Sequence, residues 1–314
     1  MKNIIFFLIK NFFSKIFNIL LGVFNYVIIY RCGKAIGDHV YMSSIIREIR
    51  LNKKKKILLF SNYYVLFQNN KRINYLFEFK INSYIWFFLS CLKGKNILEF
   101  NSINIKKMNN IYYLHYHKNH KISLAQAASE HFKMNIDYSN LKNEFFFSKN
   151  EIKEYKKKFS FEEKFSLIQS VTKNSFTKNK EWKIEGMQKI IDSFPEINWI
   201  QIGTLNEPRL KNCKHILNSN LREAAYLIYK CDFLVSYEGF FNHLASCFNK
   251  KTFLIHTGFL HADSIKYSNN ILIDVNNKMN CYPCFKMNCK DHKKKFLKNL
   301  KDAKVIEIIR NNIA

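Results

Sequence analysis

Short apolar runs, separated by polar turns and helix-period stretches, set the rhythm of this chain. Tyr26–Arg31 (YVIIYR) is the first clean run; it ends at Cys32-Gly33 and predicts a buried strand. GKAIGDH follows as a loop, then a helix over about Val40–Arg50, a solvated turn at Lys53–Lys56 and a second strand at Ile57–Ser61. Strand, loop, helix and strand in that order make a right-handed βαβ unit, the building block of doubly wound sheets. Residues 81–117 carry aromatic runs compatible with helix or strand, Ser123–Phe132 is helical by period, and Phe145–Phe147 closes this half. Lys149–Ser160 is charged, helical and poor in apolar anchors, which marks 149–164 as a connector between domains.

The rhythm then restarts. Strands are predicted at Phe165–Ser170, Asn198–Gly203, Asp232–Ser236, Thr252–His256 and Ile271–Val275, with helices near Ile184–Phe194, Leu221–Tyr229 and Asn242–Phe248. The pattern predicts an α/β protein: two Rossmann-like domains, 26–148 and 165–314, facing a cleft. In such sheets ligands bind at the carboxyl ends of strands.

Residues 1–25 form a separate problem. Lys2, Lys10 and Lys15 interrupt the apolar run, and the longest uncharged stretch, Ile16–Tyr30, is shorter than the ~20 residues of a spanning helix. No small-residue cleavage site follows. Asn11, Ser14/Lys15, Asn18, Gly22 and Asn25 recur every three or four residues, a narrow polar stripe on a Phe/Ile/Leu helix. A cationic amphipathic helix of this kind suits the inner face of a membrane, and packing on its own domain is the equal alternative.

Composition sharpens the choice of partner. The 314 residues carry 51 Lys+Arg against 24 Asp+Glu, a formal charge of +27, while 47% of residues are hydrophobic, which excludes intrinsic disorder. Part of the basic character reflects a chain rich in Lys, Asn, Ile and Phe; the remainder favours anionic partners. The basic residues are spread along the chain and no nucleic-acid module is recognisable, so a nucleic acid is not the expected partner. The runs Lys156–Lys158 and Lys293–Lys295 read as solvated faces. Eight scattered cysteines do not form a disulfide framework and read mainly as buried thiols of a reducing compartment.

Candidate chemistry begins at Gly33–Asp38 (GKAIGD). Gly33 and Gly37 permit close backbone approach, and the helix N-terminus behind them favours negative charge. The loop lacks the Lys-Ser/Thr of a P-loop. Asp38 stands either as a helix N-cap or as a general base; residue chemistry alone favours the cap.

Arg31-x-Gly33-x-x-Gly37-Asp38, with Ser43 and Arg47 at matching offsets, resembles the opening motif of glycosyltransferase family 9, the family of bacterial lipopolysaccharide heptosyltransferases. Residues 221–258, Thr177-x-x-Lys180-x-Trp182 and the Pro283-Cys284-Phe285-Lys286…Cys289 loop resemble its later motifs, in family order across about residues 26–300. The resemblance implies a GT-B architecture with acceptor against the first half and donor nucleotide in the second. It also implies an inverting transfer without a required metal or cofactor, from a nucleotide sugar such as ADP-heptose to a lipopolysaccharide core or other surface glycan. By position Asp38 resembles the catalytic base, Lys180 the lysine on donor phosphate, and Glu223 the carboxylate holding ribose or base. Glu238, Gly239 and His243 fall on the phosphate-binding turn and the helix behind it. Such an enzyme is expected in the cytoplasm, peripheral to the inner membrane. For Glu223 a solvent-facing helix charge, and for His243 a core-facing or capping role, are the alternatives.

Lys34 introduces a cation into the first loop, and three replacements stand out beside it. Glu238 replaces the family's usual Asp, Ser170-Val171-Thr172 replaces a Pro-Gly, and Ser44 replaces a Pro. They motivate an inactive binding relative as the alternative function; the retained Asp38 favours an enzyme. Cys281-x-x-Cys284-x4-Cys289-x-x-His292 has the spacing of a zinc knuckle, though the resembled family carries a Pro-Cys…Cys loop here and neighbouring loop thiols are the preferred reading.

Overall fold

A computed structural model describes residues 2–31, 33, 35–80, 83–92, 96–99, 142–161, 163–172, 177–274, 281–284, 289 and 299–313. These fall into two compact units, one ending at Ser148 and the other beginning at Lys149. The helix predicted at Ser123–Phe132, and His292, lie outside the described residues.

The first unit contains α1 (Lys2–Val23), β1 (Tyr26–Arg31), α2 (Ile36–Asn52), β2 (Lys56–Ser61), β3 (Tyr75–Glu78), α3 (Tyr84–Cys91) and β4 (Ile97–Glu99). Its strands pair in the order β3-β2-β1-β4, all parallel, with β1 and β2 in register from Tyr26 opposite Lys56 to Arg31 opposite Ser61. Five of the six β1 residues are buried, as a central parallel strand covered on both faces requires. Ile28, Tyr30, Phe79, Leu89, Leu92 and Ile97 form one apolar cluster, joined by Leu21 of α1. Each such side chain contributes about 1.5–3 kcal/mol of burial.

The orientation of α1 follows its amphipathic pattern only in part. Two residues of the polar stripe face the protein beside the buried Leu21: Ser14 is buried, Asn18 accepts a hydrogen bond from the Asn96 backbone N–H (3.2 Å) and its carbonyl accepts from the Asn96 side chain (3.1 Å), whereas Asn11, Lys15 and Gly22 are exposed. Asn25, just past the helix, donates to the Lys54 carbonyl (3.1 Å). The apolar side faces outward, leaving Phe12, Phe13, Ile16, Ile19, Leu20, Val23 and Phe24 exposed.

The second unit contains α4 (Lys149–Lys158), β5 (Ser166–Gln169), α5 (Ile184–Asp192), β6 (Trp199–Ile202), β7 (Lys214–Ile216), α6 (Leu221–Lys230), β8 (Leu234–Tyr237), α7 (Phe240–Cys247), β9 (Thr252–Ile255), α8 (Ala262–Ile265), β10 (Asn270–Ile273) and α9 (Asp302–Arg310). Its six parallel strands lie in the order β7-β6-β5-β8-β9-β10. Counted from the first strand of the unit this is 3-2-1-4-5-6, the doubly wound order, and the first unit repeats its 3-2-1-4 portion. In each case the order reverses beside the first strand, at β1/β4 and β5/β8.

The segment expected to be a helical connector does form a helix, α4, and it packs on α6 within the second unit. Glu151 accepts from Arg222 Nε and Nη2 in a side-on, two-bond pair, Tyr155 lies against Tyr226 with ring centres 5.4 Å apart, and Lys158 reaches Glu223 at 2.7 Å. Two tyrosines and two ion pairs supply the anchors that its apolar content lacks.

Candidate functional sites at the strand ends

At the carboxyl end of β1 the chain turns through Gly33 into α2. Asn62, directly after β2, holds Gly33 through both backbone groups: its amide donates to the Gly33 carbonyl (3.0 Å) and its Oδ1 accepts from the Gly33 N–H (3.2 Å). His39, fully buried, sets Nδ1 3.1 Å from the Ala35 carbonyl and Nε2 3.0 Å from Asn62 Oδ1. Burial first, and the nearby Arg31 charge second, push His39 down to about 3, so the ring is neutral at physiological pH.

Asp38 lies in the first turn of α2, but the N-cap position belongs to Ala35, which makes no side-chain capping bond. The capping role favoured by residue chemistry is therefore replaced by an ion pair. Arg31, 1% exposed at the end of β1, donates to Asp38 Oδ2 at 2.6 Å, while the aspartate stays 29% exposed. Gly37, expected in the loop, sits inside the first helical turn, because α2 starts at Ile36; the described glycines with positive φ are Gly239 and Gly258. Arg47 contacts Glu48 (2.5 Å) and Glu144 (3.4 Å), and Glu144 also takes two bonds from Arg72. Arg47 thus ties the close of the first unit back onto α2 and is held by acids on two sides.

In the second unit the residues matched to the donor side gather at the end of β8. Glu238 follows that strand, and its carboxylate is 2% exposed. Lys180 reaches Oε1 at 2.8 Å, in a close approach not aligned as a hydrogen bond, and lies over the Phe259 ring at 4.9 Å. His256 stands 4.0 Å from Oε2; burial holds its pKa down against the pull of that carboxylate, and its Nε2 meets the Leu260 carbonyl at 2.9 Å. Gly239 takes φ 142°, open to glycine and strained for any other residue, and starts α7. Neither Glu238 oxygen has a hydrogen bond, nor does Thr257 Oγ1 after β9 or Ser236 Oγ on β8.

His243, on α7, is buried behind this turn with Nδ1 2.6 Å from the Tyr267 hydroxyl; burial and the Lys180 charge push it down to about 3. It is a core histidine supporting the turn. Glu223 is the N3 residue of a capping box on α6: Asn220 accepts from the Arg222 and Glu223 N–H groups, and Glu223 Oε2 accepts from the Asn220 N–H at 3.1 Å. Its other oxygen meets Lys158. It is neither solvent-facing nor beside Glu238 in these contacts. A hollow of about 320 Å³ does open beside it, lined by Lys158, Phe159, Leu205, Arg209 and His215. A larger one, about 590 Å³, lies at the opposite, amino ends of the strands near Ser166, Asn198 and Asp232. The doubly wound rule favours the first location.

Asn62 and His39 were absent from the sequence expectations. The available signal was position: Asn62 is the first residue past the strand adjacent to β1, where ligand-facing polar residues of these sheets collect. The sulfurs of Cys281, Cys284 and Cys289 lie within 4.8 Å of one another, in the second unit.

No family profile matches the chain, and no curated protein does. Solved structures do share its fold. A glycosyltransferase family 9 protein from Veillonella parvula aligns over 92% of this chain and 97% of its own, with a TM-score of 0.67 and 10% identity. The iron-containing dodecameric glycosyltransferase TibC of enterotoxigenic E. coli aligns over 91% and 76%, with a TM-score of 0.64 and 11% identity. The E. coli ADP-heptose lipopolysaccharide heptosyltransferase II aligns over 91% and 98%, with a TM-score of 0.55 and 9% identity. The chain therefore has the parallel α/β fold of the family that its motifs resemble.

Proposed function

We propose that this chain is an inverting glycosyltransferase that moves heptose or a related sugar from a nucleotide-sugar donor, ADP-heptose first among candidates, to a lipopolysaccharide core or other surface glycan. In this reading the two Rossmann-like units face a cleft in GT-B fashion. One observation carries it: both units put their motif-matched polar residues at the carboxyl ends of the strands where sheet order reverses, Asp38 in one and Lys180 with Glu238-Gly239 in the other.

The chemistry follows from those groups. Asp38, aimed by Arg31 and part-exposed, accepts the proton of an acceptor hydroxyl as that oxygen bonds to the anomeric carbon from the face opposite the leaving group. The anomeric C–O bond to the diphosphate breaks, and the electron pair departs with the phosphate oxygen. Lys180 and the backbone N–H groups at the start of α7 stabilise that charge, which removes the need for a divalent ion in this step. Glu238 is the counter-charge of Lys180 before the donor arrives, and the diphosphate takes its place. The hollow beside Glu223 is assigned to the nucleoside, with Glu223 toward the ribose.

The outward apolar face of α1 is assigned to the surface of an anionic bilayer at the inner membrane. Seven exposed apolar side chains from Phe12 to Phe24 are flanked by the exposed Lys15, on a chain of net charge +27. That combination of apolar insertion and cationic rim fits anionic headgroups. No described helix is long and apolar enough to cross a membrane.

The deciding experiment is a thermal-shift panel of ADP, UDP and GDP with their sugar conjugates. A matched ligand at 100 times its Kd adds about 2.7 kcal/mol of apparent stability. A flat response across the panel removes the nucleotide-sugar reading.

A further inference from the structure

Three thiols remain outside the transfer chemistry. The sulfurs of Cys281, Cys284 and Cys289 all lie within 4.8 Å of one another. Cys284 is 7% exposed and the other two are half-buried. The first part of the segment is pinned to the second unit at two points: the Cys284 N–H donates to the Gly258 carbonyl (3.0 Å), and the Tyr282 hydroxyl accepts from the Ala262 N–H (2.8 Å). None of the three is in a disulfide.

Sulfurs bound to one tetrahedral ion at about 2.3 Å lie roughly 3.8 Å apart, so rotamer-scale adjustment closes the observed trio onto a metal. A disulfide uses two sulfurs and leaves the third without a role; a thiophilic cation uses all three. We propose that Cys281, Cys284 and Cys289 hold a structural thiophilic metal ion, of the kind that tetrahedral thiolate sites select, zinc or iron. Each thiol releases its proton to solvent as its sulfur binds, and the three thiolates supply three of the four vertices. No electron transfer is involved. The ion braces residues 256–262, the stretch between β9 and α8 that carries His256, facing Glu238, and Phe259, beneath Lys180.

The site stands independently of glycosyl transfer, and so does its test. The full chain, purified without added metal and passed through gel filtration, is analysed for zinc and iron. About one equivalent of either ion per chain supports the site, and which element is found separates the two. Replacing the ion with cobalt(II) gives near-ultraviolet sulfur-to-metal charge transfer. Cys281→Ser, Cys284→Ser and Cys289→Ser each reduce retained metal severalfold or more, whereas Cys213→Ser, on another loop of the unit, leaves it unchanged. Should Cys284→Ser fail to fold, the half-buried positions Cys281 and Cys289 and the unaltered protein still decide the matter. Removing the ion with a chelator speeds amide exchange over 256–262. Sub-stoichiometric metal with three freely titrating thiols, or a disulfide between any two of them by mass, overturns the proposal.

Discussion

In the first unit Asp38 meets a buried guanidinium at 2.6 Å, and Gly33 is held through both backbone groups by Asn62. In the second, Glu238 and Thr257 end adjacent strands with side-chain oxygens that are buried and lack hydrogen bonds. The same sheet reversal therefore presents two kinds of site. One is tied together by the Arg31–Asp38 pair and the two Asn62 bonds, with its aspartate part-open to water. The other is closed and charged: a buried carboxylate is held against Lys180, and the hydroxyls of Ser236 and Thr257 lie buried on or just after the same pair of strands. The outer surfaces differ as well. Among the described residues, large exposed apolar side chains crowd α1, β3 and α3 of the first unit, whereas the second shows mainly Leu205, Tyr229 and Ile152.

The largest effect is expected from the first site. Asp38→Asn keeps the shape but removes the base, so turnover falls on the order of 10²–10⁴-fold. The thermal shift given by ADP should persist, because the proposal assigns that ligand to the other unit. Full turnover in this variant, or loss of ADP binding, breaks the division of labour. The second site yields the complementary result. Lys180→Ala abolishes the ADP shift and leaves Glu238 buried without its counter-charge, at about 3 kcal/mol of stability. Adding Glu238→Gln restores the stability but not the ADP shift. Recovery of both reverses the assignment of Lys180 to phosphate.

A pH series compares the units next. His39 in one and His243 in the other are both pushed down to about 3 by burial, against about 6.5 in an unfolded chain. Below pH 6.5 the unfolded state binds protons that the folded state refuses. The contribution of each histidine is thus complete above 6.5 and falls by up to about 1.4 kcal/mol per pH unit down to about pH 3. Urea unfolding at pH 7, 6 and 5 checks this, and His243→Gln should flatten the dependence by one proton. An unchanged slope in that variant shows that His243 titrates normally. For the outer face, Ile16→Ser with Ile19→Ser lowers binding to phosphatidylglycerol-containing vesicles about tenfold or more, given about 1.5–3 kcal/mol for each fully inserted side chain. Equal binding by the variant removes α1 as the docking element.

How much of this was legible beforehand follows from burial. The central strands β1, β2, β5, β6, β8 and β9 lie within a residue or two of their predicted bounds, because strands covered on both faces must be written as continuous apolar runs. The edge strands β3 and β7 escaped prediction. Tyr75–Glu78 (YLFE) is four residues long and mostly exposed, and Lys214–Ile216 is three residues with a lysine and a histidine, so neither carries an apolar run long enough to stand out. The polar stripe of α1 was legible too, but the side it faces depends on Asn96, far along the chain, and one-dimensional periodicity does not reach that partner. At the candidate sites, motif order alone names Asp38, Lys180 and Glu238, which the fold places at strand ends. Asn62 and His39 act through Gly33 and Ala35, and such support is visible only once the strands are aligned.

Glu223 offers the smallest and most discriminating change. It has two structural duties, the capping box with Asn220 and the pair with Lys158, and a proposed third toward the ribose. Glu223→Gln preserves the first, since glutamine serves at N3 as glutamate does. It removes the second, and a pair whose lysine is 56% exposed contributes at most about 1 kcal/mol. Stability should therefore fall by less than about 1 kcal/mol in urea titration. If Glu223 also holds the ribose, the same variant weakens ADP by about tenfold, out of proportion to that small change, because a carboxylate accepting from ribose hydroxyls is worth more than the amide that replaces it. Asn220→Ala gives the converse: about 1 kcal/mol of stability disappears with the cap, and ADP affinity stays nearly intact. If both variants change stability alone, Glu223 belongs entirely to the helix, and the nucleoside hollow must draw its specificity from Phe159, Arg209 and His215 instead.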